Sequence, residues 1–248
     1  MAPRGPHILA HASTNLSSNA SDSSIAGAQS VEVFTLDIPN PEWLAPGSSN
    51  QGRRINNSSL GYHFLTNFDI RTLSTVGAGG GNDVTGLLYV PTLDDDNPCK
   101  NASAPFIPQN ATRRANLPAT DYDLIAIAPW MSSECSLDYM KAARENPTRG
   151  LMFFLPNNGS NPPPETGDPM WNIGDGGRWK ADNGFPVYVL PGQDGAYLIG
   201  NSSLYSGNVT DVPNGNALTE MGIDAKDYVR LFVDIDTGEW KQYVHLGW

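Results

Sequence analysis

The sequence predicts an α/β fold, a mixed β-sheet carrying a few short helices. Three observations point there. Residues 123–155 read as strand, helix and strand, which makes a β-α-β crossover with parallel strands, expected to be right-handed. Further short runs with β-like patterning lie on either side of that unit. The 25 Gly and 20 Pro punctuate the chain as turns, so elements are short and loops many. With neither an internal repeat nor a second core in view, residues 29–248 read as a single domain.

Taken in order, residues 1–28 are rich in Ser, Asn and Ala and read as a flexible leader. Residues 31–38 alternate as a strand, which Pro39 and Pro46 terminate. Strands follow at 70–76 and 86–90. The glycine-rich stretch between them, 77–83, is followed by a β-like run and holds no Lys, so it reads as a turn rather than a phosphate cradle. Asp94, Asp95 and Asp96 lack the spacing of a calcium loop and read as a solvated turn. Residues 123–128 are a buried strand. A helix over 136–146 follows, with Ser136 as cap, Asp138 near its positive end, Arg144 near its negative end and Pro147 as the stop. Residues 151–155 form the second buried strand. The Pro-, Gly- and Asn-rich insertion 156–184 carries Trp171 and Trp179; a loop of that length inside a domain is either functional or loosely held. A strand at 185–190, a short helix at 193–199 and a strong strand at 228–235 complete the pattern.

A net charge of −11 with no basic stripe argues against nucleic-acid binding. No run reaches the roughly 18–20 apolar residues of a membrane span, and the stretch before Ala10-His11-Ala12 is too short for a signal peptide. Sequons begin at Asn15, Asn19, Asn56, Asn57, Asn101, Asn110, Asn158, Asn201 and Asn208. Chance placement of 22 Asn and 34 Ser and Thr gives about three, so the excess fits a glycoprotein of the secretory lumen, a vacuolar or endosomal space, or the cell exterior. Shared loop composition explains part of that excess. In an oxidising space Cys99 and Cys135 form one intrachain disulfide, stabilising by about 4 kcal/mol in the chain-entropy model; two buried thiols are the alternative.

The order of elements resembles the protease-associated (PA) domain. The motifs that carry the resemblance are Ile125-Ala-Ile-Ala128, then Cys135-Ser-Leu-Asp-Tyr-Met-Lys-Ala-Ala143, Gly150-Leu-Met-Phe-Phe154, Phe185-Pro-Val-Tyr-Val-Leu190 and Gln193-Asp-Gly-Ala-Tyr-Leu198. Cys99, in Asn97-Pro-Cys99, resembles the upstream cysteine that many PA domains pair with the one before the helix. The match covers roughly residues 86–200, with weaker agreement to about 236. The family often has Arg-Gly where this chain has Trp130-Met-Ser-Ser-Glu134, and the 156–184 insertion is long for it. The resemblance implies a swivelling β/β/α fold with an open barrel and a non-catalytic role in protein or peptide recognition. Among its hosts, the chain looks most like the lumenal portion of a fungal membrane-anchored RING-finger ubiquitin ligase. The terminal Leu246-Gly-Trp248 would suit a membrane boundary, and a core or surface Trp is the ordinary alternative.

Nothing in the sequence points to catalysis. No Gly-x-Ser-x-Gly elbow is present, and His7, His11, His63 and His245 stand in no nucleophile or zinc motif. His63 reads as a strand residue. No metal or cofactor is implied, and the oligomeric state is open. The candidate ligand-binding rim comprises Trp130, Met131, Ser132 and Glu134, then Trp171 and Trp179, then Gly192 and Asp194, where exposed aromatics could hold an extended peptide. For the two insertion tryptophans, pinning the loop onto the core is the equal alternative. A secreted hydrolase, a peptidase accessory domain and a structural surface glycoprotein are the rival readings.

Overall fold

The computed structural model describes residues 27–49, 51–67, 69–78, 83–119 and 121–237. Most of the expected leader, Asn15, Asn19, His7, His11, His245 and the terminal Leu246-Gly-Trp248 lie outside the described residues.

The fold is mixed α/β. One sheet holds nine strands among the described residues: β1 (Ser30–Ile38), β2 (Arg53–Arg54), β3 (His63–Asn67), β4 (Arg71–Ser74), β5 (Val84–Tyr89), β6 (Leu124–Pro129), β7 (Thr148–Phe154), β8 (Val187–Leu190) and β9 (Tyr228–Asp236). The helices are short: α1 (Pro98–Ser103), α2 (Ser133–Arg144), α3 (Arg178–Asp182), α4 (Gly192–Leu204) and α5 (Gly215–Glu220). The strand order is β2-β1-β9-β5-β6-β7-β8-β4, and β3 also pairs with β1. Strands β5 to β8 are parallel neighbours in chain order. Elements cover both faces of them, which is why β6 is an unbroken apolar run, buried throughout. Strands β1, β9 and β4 join antiparallel.

This order constrains the shape of the sheet. Strands β3 and β4 lie at opposite ends of it, yet only residues 68–70 separate Asn67 from Arg71. Laid flat, eight strands about 4.8 Å apart would put the ends roughly 34 Å from each other. Four extended backbone steps reach only about 14 Å. The sheet must therefore curl until its ends approach, like an opened barrel. Across that seam the Ala28 N–H donates to Thr72 Oγ1 at 2.9 Å.

Successive strand residues face opposite sides. Phe154 of β7 meets α4 so closely that a Cβ at Gly195 would stand 2.0 Å from the Phe154 Cβ. Phe153 faces the other way, against Trp130, with ring centroids 5.0 Å apart. Farther along α4, Tyr197 packs on Tyr62 and on Phe64 of β3, at 5.6 and 5.9 Å. A helix that touches both β7 and β3 fills the concave side of the curl. On the convex side lie α2 and the tryptophans, where the Asn183 amide donates to both Met140 Sδ and the Trp179 carbonyl.

The expected crossover is present, with β6 and β7 parallel around α2. Its helix starts three residues earlier than expected. Ser132 is the cap, its hydroxyl accepting from the Cys135 N–H at 3.2 Å, while Ser136 is buried within the first turn. Glu134, rather than Asp138, occupies the first turn. The expected helix at 193–199 runs on to Leu204. The elements missed from sequence, β2, α1, α3 and α5, are each of six residues or fewer, too short to display a period.

Gly195→Val is expected to lower stability by about 2–3 kcal/mol or more through overpacking against Phe154, read as a fall in urea midpoint. Combined with Phe154→Ala it should cost less than the sum of the two single changes, because loss of the Phe154 ring removes part of the clash, while the Phe154 Cβ that alanine keeps leaves a residual cost.

Candidate functional site

Two concave surfaces lie beyond the carboxyl ends of the parallel strands. After β5 the chain leaves the sheet at Val90 and returns at Thr112, where the Val90 N–H donates to the Thr112 carbonyl at 2.8 Å. The excursion is built around α1. Asn97 caps that helix by accepting from the Cys99 N–H at 2.8 Å, and Pro98 takes the first position, where a missing N–H costs nothing.

Three links fasten α1 to α2. Cys99 and Cys135 form a disulfide with their Cα atoms 5.3 Å apart. The Asn97 amide donates to Asp138 Oδ2 at 2.8 Å, and the Ser103 and Tyr139 hydroxyls share a hydrogen bond of 2.6 Å. Both cystine residues sit in the first turns of helices whose caps bind their own N–H groups, so the bridge joins two pre-ordered ends.

The segment from Ala104 to Gln109 then forms a ridge between two cavities. The first, about 570 Å3, is lined by Thr92, Leu93, Lys100, Asn101, Ser103, Ala104, Ile107, Gln109, Arg113 and Tyr139. The second, about 430 Å3, lies on the other flank of the ridge against Phe154, Asn158, Ala196 and Ile199. The far end of the ridge is tied to α4: Thr112 Oγ1 donates to the Ser202 carbonyl at 2.9 Å and Asn110 Nδ2 to the Ser203 carbonyl at 3.3 Å.

No carboxylate lines either cavity, although the chain carries a net charge of −11. Arg113 donates from Nη1 to the Pro91 carbonyl at 2.9 Å and meets no carboxylate among the described residues. Burial disfavours its charge and lowers its pKa, with Tyr139 as a smaller opposing influence. Burial likewise raises the Tyr139 pKa, against the Ser103 hydrogen bond and Arg113. Lys100 pairs with the fully exposed Asp95 at 2.5 Å.

The expected rim is largely spent on structure. Trp130, Trp171 and Trp179 are 5%, 3% and 1% exposed, so they offer no aromatic surface to a ligand. They pin the 156–184 insertion to the convex face. Trp171 meets Trp130 edge-on at 5.1 Å and donates from Nε1 to the Glu165 carbonyl, and the Asp175 carboxylate accepts from the Gly177 and Trp179 N–H groups where α3 begins. Ser132 is consumed as the α2 cap. Gly192 is buried where any Cβ would meet the Leu155 carbonyl at 2.4 Å. Met131 and Asp194 are half-buried, and Glu134 is exposed. Burial raises the Asp194 pKa, opposed by a hydrogen bond with Thr66. Within the insertion, Asn158 is the residue that reaches a cavity. Lys100, Ser103, Arg113 and Tyr139 were not foreseen. The signal available was Arg113-Arg114, adjacent cations in an acidic chain.

Six sequon asparagines, Asn56, Asn57, Asn101, Asn110, Asn158 and Asn208, are exposed, whereas Asn201 is half-buried and donates to the Tyr197 carbonyl at 2.8 Å. Asn101 and Asn158 line the two cavities, so glycans there would frame them. Among the described residues, His63 is the one histidine, and it bonds Glu32 at 2.8 Å on an exposed edge. Both cysteines are oxidised, and no group of His, Cys, Asp and Glu suited to a metal ion is found among the described residues. Asp37 and Asp227 adjoin at the end of β1, where burial above all raises the Asp37 pKa. Arg53 answers that carboxylate at 2.7 Å, and neither aspartate lines either cavity.

Two outcomes test this framework. Cys99→Ser with Cys135→Ser is expected to cost about 2–4 kcal/mol, measured as a lower melting temperature that reductant reproduces in the native chain. Arg230→Met should cost about 2–4 kcal/mol in a denaturant titration, because the buried Arg230 guanidinium serves the carbonyls of Gly207, Val229 and Asn116.

In comparisons with known proteins, the chain matches no family model and no curated protein.

Proposed function

We propose that the chain is a non-catalytic recognition module of the protease-associated type that binds protein or peptide segments in an oxidising, lumenal or extracellular space. In this reading it forms the lumenal part of a membrane-anchored RING-type ubiquitin ligase and holds clients for it. The observation that carries the proposal is the pair of cavities, about 570 and 430 Å3, on the two flanks of one rigid ridge. Spaces of that size suit the side chains of an extended segment laid across the ridge. The curled mixed sheet, the crossover and the position of both cysteines favour the family. The disulfide and the exposed sequons favour the compartment. Among the described residues no helix is long and apolar enough to cross a membrane, so the anchor in this reading belongs to the parent protein.

Calorimetric titration of the glycosylated full chain with pools of extended peptides from lumenal proteins is expected to give saturable binding. Ala104, exposed and common to both cavities, is the position to block. Ala104→Trp should weaken binding roughly tenfold or more with the melting temperature nearly unchanged. Silence from every pool, or binding indifferent to Ala104→Trp, overturns the reading. The ligase component has its own check: the parent reading frame past Trp248 is expected to encode an apolar span and then a Cys/His zinc motif. A stop codon there removes that component and leaves the recognition role standing.

A further inference from the structure

We propose that the 570 Å3 cavity is a carboxylate site, in which Arg113 and Lys100 receive an acidic side chain or a free chain end of the bound segment. The inference rests on the recognition reading and adds the chemistry that selects the ligand.

Charge complementarity carries it. The chain holds 26 Asp and Glu against 15 Lys and Arg, yet this cavity has two cations in its lining and no carboxylate. A partly buried guanidinium is ordinarily matched by a carboxylate, because a desolvated charge without a counter-charge is unfavourable. Arg113 has only the Pro91 carbonyl on Nη1. Its backbone is fixed, since its N–H donates to Asn116 Oδ1 at 3.1 Å and its carbonyl accepts from the Asn116 N–H at 2.9 Å. The guanidinium is thus held at the cavity wall with donors to spare, and a planar fork of N–H groups matches a carboxylate better than a point charge does. Ser103 and Tyr139 also line the cavity, but Ser103 Oγ donates to the Lys100 carbonyl at 3.2 Å and shares a 2.6 Å hydrogen bond with the Tyr139 hydroxyl, so their protons are engaged within the chain and the two cations are left to meet an anion. Lys100 contributes at the mouth. Its present partner, Asp95, is fully exposed, and such a pair is weak enough for an incoming carboxylate to displace.

The test uses four N-acetylated tetrapeptides that share one apolar sequence, titrated into the full chain by calorimetry. One has a free C-terminus, one is amidated, one is amidated with a Glu in place of one residue, and one is amidated with a Lys there. One or both carboxylate-bearing peptides should bind roughly tenfold or more tighter than the amidated and Lys forms. Preference for the free end assigns a chain terminus, and preference for the Glu form assigns an acidic side chain. That preference should shrink as ionic strength rises from about 0.05 to about 0.5 M. Arg113→Gln should abolish it, and Lys100→Gln should reduce it several-fold. Asp95→Asn, which removes the competing carboxylate, should strengthen binding a few-fold. Arg149→Gln, on a surface arginine remote from the cavity, should change nothing. If Arg113→Gln does not fold, the Lys100, Asp95 and salt measurements still decide. Equal binding of all four peptides overturns the carboxylate site while leaving the recognition reading intact. No binding by any of the four overturns the site as well, and Ala104-dependent binding of peptide pools then decides the recognition reading by itself.

Discussion

The connection between β3 and β4 is the constraint on which this architecture turns. Three residues must join strands at opposite ends of the strand order, so the sheet has no flat alternative. Curling creates a concave side, and α4 occupies it, touching Phe154 from one direction and Phe64 from the other. The absence of a side chain at Gly195 is what permits the approach. The parallel strands β5 to β8 are then covered on both faces, and their carboxyl ends are left as the place where backbone can depart from the sheet without losing ladder partners. Both cavities lie there.

What shapes the cavities is covalent and local rather than a property of the sheet. An excursion of about 20 residues from a strand end would cost substantial backbone entropy if it were free. It is closed at its base by the Val90–Thr112 hydrogen bond, held on one side by the disulfide to α2 and on the other by Thr112 and Asn110 to α4. The helix α1 has only six residues and would not persist alone. Its persistence comes from Asn97, which caps it and at the same time binds Asp138 of the neighbouring helix. The ridge is therefore rigid for reasons that lie outside it.

Much of the sheet could be read from the sequence, since β1, β5 to β8 and β9 are apolar runs whose burial in the folded chain follows from the same residues. The site could not be read in the same way. Trp130, Trp171 and Trp179 were attractive as ligand contacts because they sit in irregular segments, but an indole in a long polar loop is also the cheapest means of anchoring that loop. Here Trp130 packs on Phe153, and Trp171 and Trp179 pack in turn on Trp130. Lys100, Ser103, Arg113 and Tyr139, polar residues that line the 570 Å3 cavity, come from two helices and a loop that periodicity does not bring together. Their proximity depends on which side of α2 the disulfide draws α1 toward, and pairing alone does not specify that.

Two partly or fully buried arginines make the distinction between structural and recognition roles concrete. Arg230, 2% exposed, has no carboxylate partner among the described residues, and burial lowers its pKa to about 10. It nonetheless binds carbonyls from three stretches of chain: Gly207, its own neighbour Val229, and Asn116. Those bonds consume most of its donors and knit three segments, which is sufficient reason for a buried cation. Arg113 binds one carbonyl and faces open space. The two are coupled through Asn116, whose carbonyl accepts from Arg230 while its side chain fixes the Arg113 backbone. The arginine that binds three carbonyls, with its buried Nε left over, thereby helps to position the one that binds a single carbonyl, and a charge held in place without a counter-charge is the arrangement expected when the partner arrives from outside the chain.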